Sequence, residues 1–328
     1  MKELPPPDLR SLTSVFFAVH LAGGHIGLPI LVATFLLSKT ANRHPTVVNF
    51  CIIWILYSII YCLLIYGGDA WLDNPRHELC LAQAAMNYAA PPMAVVAGFE
   101  VVLQIWSTFI EPWKHVRLAC IPPWMKLVAI VAPPYLTFIA FAVPATVVGL
   151  RHPEWVQVKT GLYCGLMHGH FEKFAVPTFC SVFLTLTIGL EVASIVQYIR
   201  GRHNIKKDFP LVTAKRPSLS PWARAALFLV YSAMALSACI MVLKQSLNVF
   251  AYMIQAALPL AAFLVFGLQK DVLMVWLCCN RRRHWDREDS TRASNESPRI
   301  IRTNSLASQA TMECTSPIAT THPSSSIV

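Results

Sequence analysis

The chain has 328 residues, of which 55% are hydrophobic and 13% charged, and its formal net charge is +10. Soluble domains carry about 25% charged residues, so this chain is excluded from that class. The basic residues flank apolar stretches instead of covering a folded domain, which makes nucleic-acid binding the poorer reading of the positive charge.

Met1–Arg10 balances Lys2 and Arg10 against Glu3 and Asp8. The apolar run that follows is too long for the h-region of a signal peptide, so no cleavable leader is expected. Pro5-Pro6-Pro7 reads as a short extended lead-in. Seven apolar stretches then run through residues 11–268: Ser11–Ser38, Thr46–Tyr66, Leu79–Ile110, Leu127–Leu150, Phe174–Ile199, Trp222–Leu243 and Leu247–Leu268. A hydrocarbon core about 30 Å thick needs roughly 20 helical residues per crossing. Lipid offers no partner to an open backbone, which leaves helices or a closed barrel. The runs lack the alternation of barrel strands. The expected fold is therefore all-α, a seven-helix transmembrane bundle.

In the first crossing Gly23 and Gly27 form a small-xxx-small pair suited to close helix packing. His20 and His25 lie about 140° apart around the helix and do not converge. Cys80 opens the third crossing, where Pro91-Pro92 should kink the helix below Tyr88. Cys164 lies in the loop before the fifth crossing. These two are the only cysteines of ten placed in outer loops or at their edges. On the oxidising side disulfides persist, so a Cys80–Cys164 bridge is expected, the alternative being two free thiols. Cys51, Cys62, Cys180 and Cys239 read as apolar packing residues. His168-Gly169-His170 supplies too few ligands for zinc's usual four, and neither metal nor cofactor is expected.

Trp222–Leu268 is too long for one pass, and the polar break Lys244-Gln245-Ser246 divides it. Charge bias gives an independent count. With the N-terminus outside and seven passes, the inner side holds 20 of the 27 Lys and Arg, and the outer side seven. That split follows the positive-inside rule. It favours anionic lipid or an acidic partner at the inner face.

Residues 269–280 read as a juxtamembrane amphipathic helix on the inner leaflet. It ends in Cys278 and Cys279, candidates for palmitoylation or two reduced thiols, beside Arg281-Arg282-Arg283. The tail, 281–328, holds fifteen Ser and Thr between Ser290 and Ser326 and is expected to be disordered. Ser297, Ser305 and Ser316 are its candidate phosphorylation sites. The sequon at Asn295 falls on the inner side and should stay unmodified.

Seven helices, an outer N-terminus, Cys80 poised to meet the second outer loop and a basic third inner loop together resemble the G-protein-coupled receptor superfamily. The resemblance covers about residues 11–280. Pro112 lies 32 residues after Cys80, as in rhodopsin-like members, and Pro177 and Pro259 sit where that family has helix prolines. Arg43-His44-Pro45, Asn49-Phe50-Cys51 and Tyr66-Gly67-Gly68 are similar to the wording of uncharacterised seven-helix receptors of fungi. The chain departs from the family at its switches. Gln104-Ile105-Trp106 stands where Asp/Glu-Arg-Tyr belongs, the sixth helix has no Cys-Trp-x-Pro, and Leu258-Pro259-Leu260-Ala261-Ala262 replaces Asn-Pro-x-x-Tyr.

The resemblance implies a plasma-membrane receptor for a small extracellular ligand, with a heterotrimeric G protein as inner partner at the basic Arg200–Arg224 loop. Candidate ligand contacts in the outer half are Trp71, Asn87, Tyr88, His168, His170, Asn248, Tyr252 and Gln255. Interfacial aromatics and amides also occur without a ligand. Glu100 and Glu191 are membrane acids, each unfavourable by about 2.5–3.5 kcal/mol near a helix centre. One of them is expected to pair with Arg224 as a latch on the sixth helix; otherwise Glu191 snorkels and Glu100 packs protonated. No enzyme is expected, since no Asp falls inside a crossing. A small transporter or channel and a non-signalling scaffold are the alternatives.

Overall fold

The first apolar stretch does not form one regular helix in the computed structural model, which describes residues 9–38, 41, 43–72, 75–110, 122–159, 161–166, 174–208, 220–244 and 249–277. A short 3-10 turn, Arg10–Leu12, leads into α1 (Thr13–His20), a π-helical segment Leu21–Gly27, and α2 (Leu28–Leu37). Pro29 explains the widening. It provides no N–H for the carbonyl of His25 and its ring would strike that carbonyl in a regular turn. His25 Nδ1 lies 3.4 Å from the His20 carbonyl within the loosened segment.

The remaining elements are α3 (Pro45–Tyr61), α4 (Leu63–Gly67), α5 (His77–Ile110), α6 (Pro123–Arg151), strands β1 (Val156–Lys159) and β2 (Tyr163–Leu166), α7 (Val176–Asp208), α8 (Ser220–Leu243), α9 (Val249–Gly267) and α10 (Lys270–Leu277). Among the described residues six helices are long and apolar enough to cross a membrane: Arg10–Leu37, His77–Ser107, Leu127–Arg151, Val176–Arg200, Ala226–Leu243 and Val249–Gly267. The second expected crossing is interrupted. α3 is apolar but 17 residues long, and after Cys62 the chain resumes as the short α4, ending on Gly68 in the left-handed region.

α5 packs against α3, α6 and α7, and the circuit closes through α7–α8, α8–α9 and α9 against the first helical stretch. α3 is the most enclosed part. Phe50, Ile53, Trp54, Tyr57, Ser58 and Tyr61 are all buried. The outward faces are apolar: Leu136, Ile139, Val143 and Leu150 make an exposed stripe on α6. A stripe of that kind fits hydrocarbon surroundings and is unfavourable in water. The molecule has the build of a helical multi-pass membrane protein.

Close approach of the first stretch to α9 depends on glycine. A Cβ at Gly23 would stand 2.5 Å from the backbone nitrogen of Leu260, and one at Gly27 would stand 2.7 Å from the Phe263 ring. At one end of the bundle β1 and β2 form an antiparallel hairpin pairing Val156 with Leu166 and Val158 with Cys164. At the other end Arg43 bonds Gln269 Oε1 (2.7 Å) and Asp271 Oδ2 (3.1 Å). Trp276 of α10 donates to Thr34 Oγ1 at 3.0 Å and stacks on Phe263. α10 is therefore folded back on the bundle. Positions 278–280 of the expected juxtamembrane helix, the tail 281–328, and with them Cys278, Cys279, Ser297, Ser305 and Ser316, lie outside the described residues.

Candidate functional site

A disulfide joins Cys80, in the first turn of α5, to Cys164 of β2, with their Cα atoms 5.2 Å apart. Side chains of α5 continue the clamp. Gln83, fully buried, accepts from the Cys164 N–H at 2.9 Å and donates to the carbonyls of Ile60 (3.0 Å) and Tyr61 (3.2 Å). Asn87 Nδ2 donates to the Cys164 carbonyl at 3.0 Å, and Tyr88 Oη to that of Leu166 at 3.4 Å. All of β2 is buried. The hairpin turn uses Gly161 at φ +77°, where a Cβ would also meet Arg10 Cγ at 2.5 Å. From α1, Thr13 Oγ1 reaches the Gly161 carbonyl at 3.3 Å.

Beneath the hairpin lies a cavity of about 180 Å³ bounded by α3, α5, α7, α8 and α9. Its α3 wall is a ladder of rings. Trp54 and Tyr57 have centroids 4.7 Å apart, and Tyr57 and Tyr61 are 4.6 Å apart. Tyr163 of β2 meets Tyr61 edge-on at 5.1 Å. Phe228 and Tyr231 of α8 close the wall beside Phe50. Gln255 of α9 donates its amide to the Tyr61 hydroxyl. Pro91 also lines the space. With Pro92 it leaves the carbonyls of Asn87 and Tyr88 without their usual helical donors, although α5 runs on through both prolines.

Four of the expected contact residues, Asn87, Tyr88, Tyr252 and Gln255, are brought together on this cavity. Trp71 is not among its walls; it is 70% exposed and meets Phe17 edge-on. His168, His170 and Asn248 lie outside the described residues. Tyr57, Tyr61, Trp54, Tyr163, Tyr231 and the clamp residue Gln83 were not anticipated. The α3 set was available as aromatics at positions 50, 54, 57 and 61, a single helical face. Tyr163 and Tyr231 come from distant segments and carry no such signal. Cys180 and Cys239 also line the cavity, whereas Cys51 and Cys62 are fully buried packing residues.

The two membrane acids differ in their partners. Glu191 Oε1 accepts from Ser232 Oγ of α8 at 2.9 Å, and its other oxygen has no hydrogen-bond partner among the described residues. Glu100 Oε1 likewise has none. The Arg224 side chain lies outside what is described, so the partner observed for Glu191 on α8 is a serine. Gln104 and Trp106 are half-buried on α5, and Pro112 is outside the described residues. No group of three or more metal-binding side chains occurs among the described residues.

No family model matches the chain, and no curated protein matches it.

Proposed function

We propose that this chain is a receptor of the G-protein-coupled type. It would cross the plasma membrane seven times, with its first residue outside and its tail in the cytoplasm. In this reading α3 and α4 together make the second crossing, and α10 is the juxtamembrane helix. The observation that carries the proposal is the clamped hairpin above a ring-lined cavity. A disulfide and four side-chain hydrogen bonds hold the cover, while the space beneath is bounded by five separate helices. An occupant there would lie between five helices, α7 and α8 among them.

A ligand shifts an equilibrium only by its unequal affinity for two arrangements. α7 and α8 are the elements proposed to move. They border the cavity at one end and Glu191–Ser232 ties them between. At the other end α7 runs on to Asp208 and α8 begins at Ser220, so the Arg200–Arg224 stretch, expected as a loop, is two helix ends and their connection. That stretch has seven basic residues against Asp208 and would receive the acidic face of a heterotrimeric G protein. No catalytic role is assigned to the chain.

The test is nucleotide exchange on a co-expressed G protein alpha subunit during a small-molecule screen in a receptor-null host. An agonist should accelerate exchange, and Tyr61→Ala should abolish its effect. Solute or proton flux in liposomes without nucleotide exchange would replace this reading with a transporter, for which Glu100 and Glu191 would be the carriers. Neither activity, together with copurification of a fixed partner, would favour a scaffold.

A further inference from the structure

Formal charge is absent from the described walls of the cavity. None of the described residues lining it is Asp, Glu, Lys, Arg or His. An ion entering would surrender its hydration with no counter-charge to replace it, which is strongly unfavourable.

Among the described residues, three polar atoms of wall residues stand buried without a hydrogen-bond partner: Trp54 Nε1, Tyr231 Oη and Asn87 Oδ1. Their residues are 4%, 5% and 7% exposed. Buried polar groups are rarely left unsatisfied, and each such exception calls for an unseen partner. Their chemistry is directional. An indole N–H only donates and an amide oxygen only accepts, while a phenol can do either. Trp54 and Tyr231 meet edge-on with centroids 6.1 Å apart, so the two residues belong to one patch of the wall. Asn87 belongs to the hairpin side, where its Nδ2 is already committed to Cys164 and its oxygen is left to accept.

Size narrows the occupant further. An engineered apolar cavity of about 150 Å³ takes benzene, and this one is about 180 Å³. The space suits one substituted ring set among the rings of Trp54, Tyr57 and Tyr61.

We propose that the cavity binds an uncharged single-ring aromatic molecule, with an acceptor directed at Trp54 and Tyr231 and a hydroxyl or N–H directed at Asn87. The proposal rests on the receptor reading in taking this cavity as the ligand site, and it specifies the ligand's chemical class.

The experiment uses the full chain in lipid nanodiscs at pH 6.5 with three para-substituted phenols: neutral 4-hydroxyacetophenone, anionic 4-hydroxybenzoate and cationic tyramine. Affinities are read from thermal shift and intrinsic fluorescence. The neutral probe should bind at least about tenfold more tightly than either ion, since both ions must be desolvated. Tyr231→Phe, which removes one hydroxyl and keeps the ring, should weaken the neutral probe about fivefold, the loss of one hydrogen bond. The melting temperature without ligand should hold, because that hydroxyl has no partner to lose among the described residues. An ion binding as well as the neutral probe overturns the proposal, as does no binding by any probe to cooperatively melting protein, or unchanged affinity in Tyr231→Phe. Selective neutral binding without nucleotide exchange would sustain the ligand class while removing the signalling role.

Discussion

Gln83 carries more than its size suggests. Its fully buried amide bonds two carbonyls at the end of α3 and one N–H in β2. Gln83→Leu keeps the volume and strands those backbone groups, each of which becomes a buried polar group without a partner. We expect a loss of about 2–4 kcal/mol, read as a lowered melting temperature, with the Cys80–Cys164 bond still formed by mass spectrometry. Asp69 gives a pH-dependent counterpart at the same end. The Arg76 backbone N–H and the Arg76 guanidinium, both 3.1 Å from Asp69 Oδ2, hold its carboxyl below the usual carboxylate range. A carboxylate depressed in the folded state stabilises above its unfolded value of about 3.9. That stability is lost as pH falls through the folded value. Between pH 7 and 5 this pair should therefore contribute no change. Below about pH 4 the wild type should lose melting temperature more steeply than Asp69→Asn. Equal acid limbs for the two proteins would remove Asp69 from the account.

At the scale of elements, helix packing here is decided by single atoms. A Cβ at Gly23 would overlap the α9 backbone at Leu260 and Pro259, which cannot rotate aside, whereas one at Gly189 on α7 meets nothing within 4 Å. Gly23→Ala should thus push the first stretch off α9 and lower both yield and melting temperature. Gly189→Ala should be neutral or stabilising by up to about 1 kcal/mol, the ordinary helix preference for alanine. The reverse ranking in a paired thermal-shift assay would refute the packing. The small-xxx-small spacing made this contact legible from sequence. The π-helical segment beside it was not, because a widened turn reflects how Pro29 and its neighbours share space. The hairpin was similarly hidden. Four-residue strands are too short for alternation to stand out, and their pairing is held by α5 side chains remote in sequence.

For the whole molecule, the pass count decides what each end can do. Among the described residues six helices meet the length for a crossing and α3 is shorter, so the even or odd parity turns on the α3–α4 pair. If that pair crosses, an epitope at Met1 should be reached by antibody on intact cells and one after Val328 only after permeabilisation. Both tags labelled on intact cells would mean an even count and would withdraw the receptor orientation. A disulfide such as Cys80–Cys164 persists in oxidising compartments, so the hairpin end is expected outside and the tail, three helices later, inside, while the side of Met1 rests on the α3–α4 pair.

The sequence by itself determined the class of the molecule, a helical membrane protein, and pointed to the pairing of Cys80 with Cys164. The first follows from hydrophobic length and the second from which cysteines fall in outer loops or at their edges, properties that one chain segment carries alone. It also pointed to Asn87, Tyr88, Tyr252 and Gln255. Only the tertiary structure decided that these four share one cavity with Tyr57, Tyr61, Tyr163 and Tyr231. Enclosure depends on how distant segments converge, and no spacing within a single helix encodes that. The same convergence pairs Glu191 with Ser232, a neutral hydroxyl that no charge count could single out.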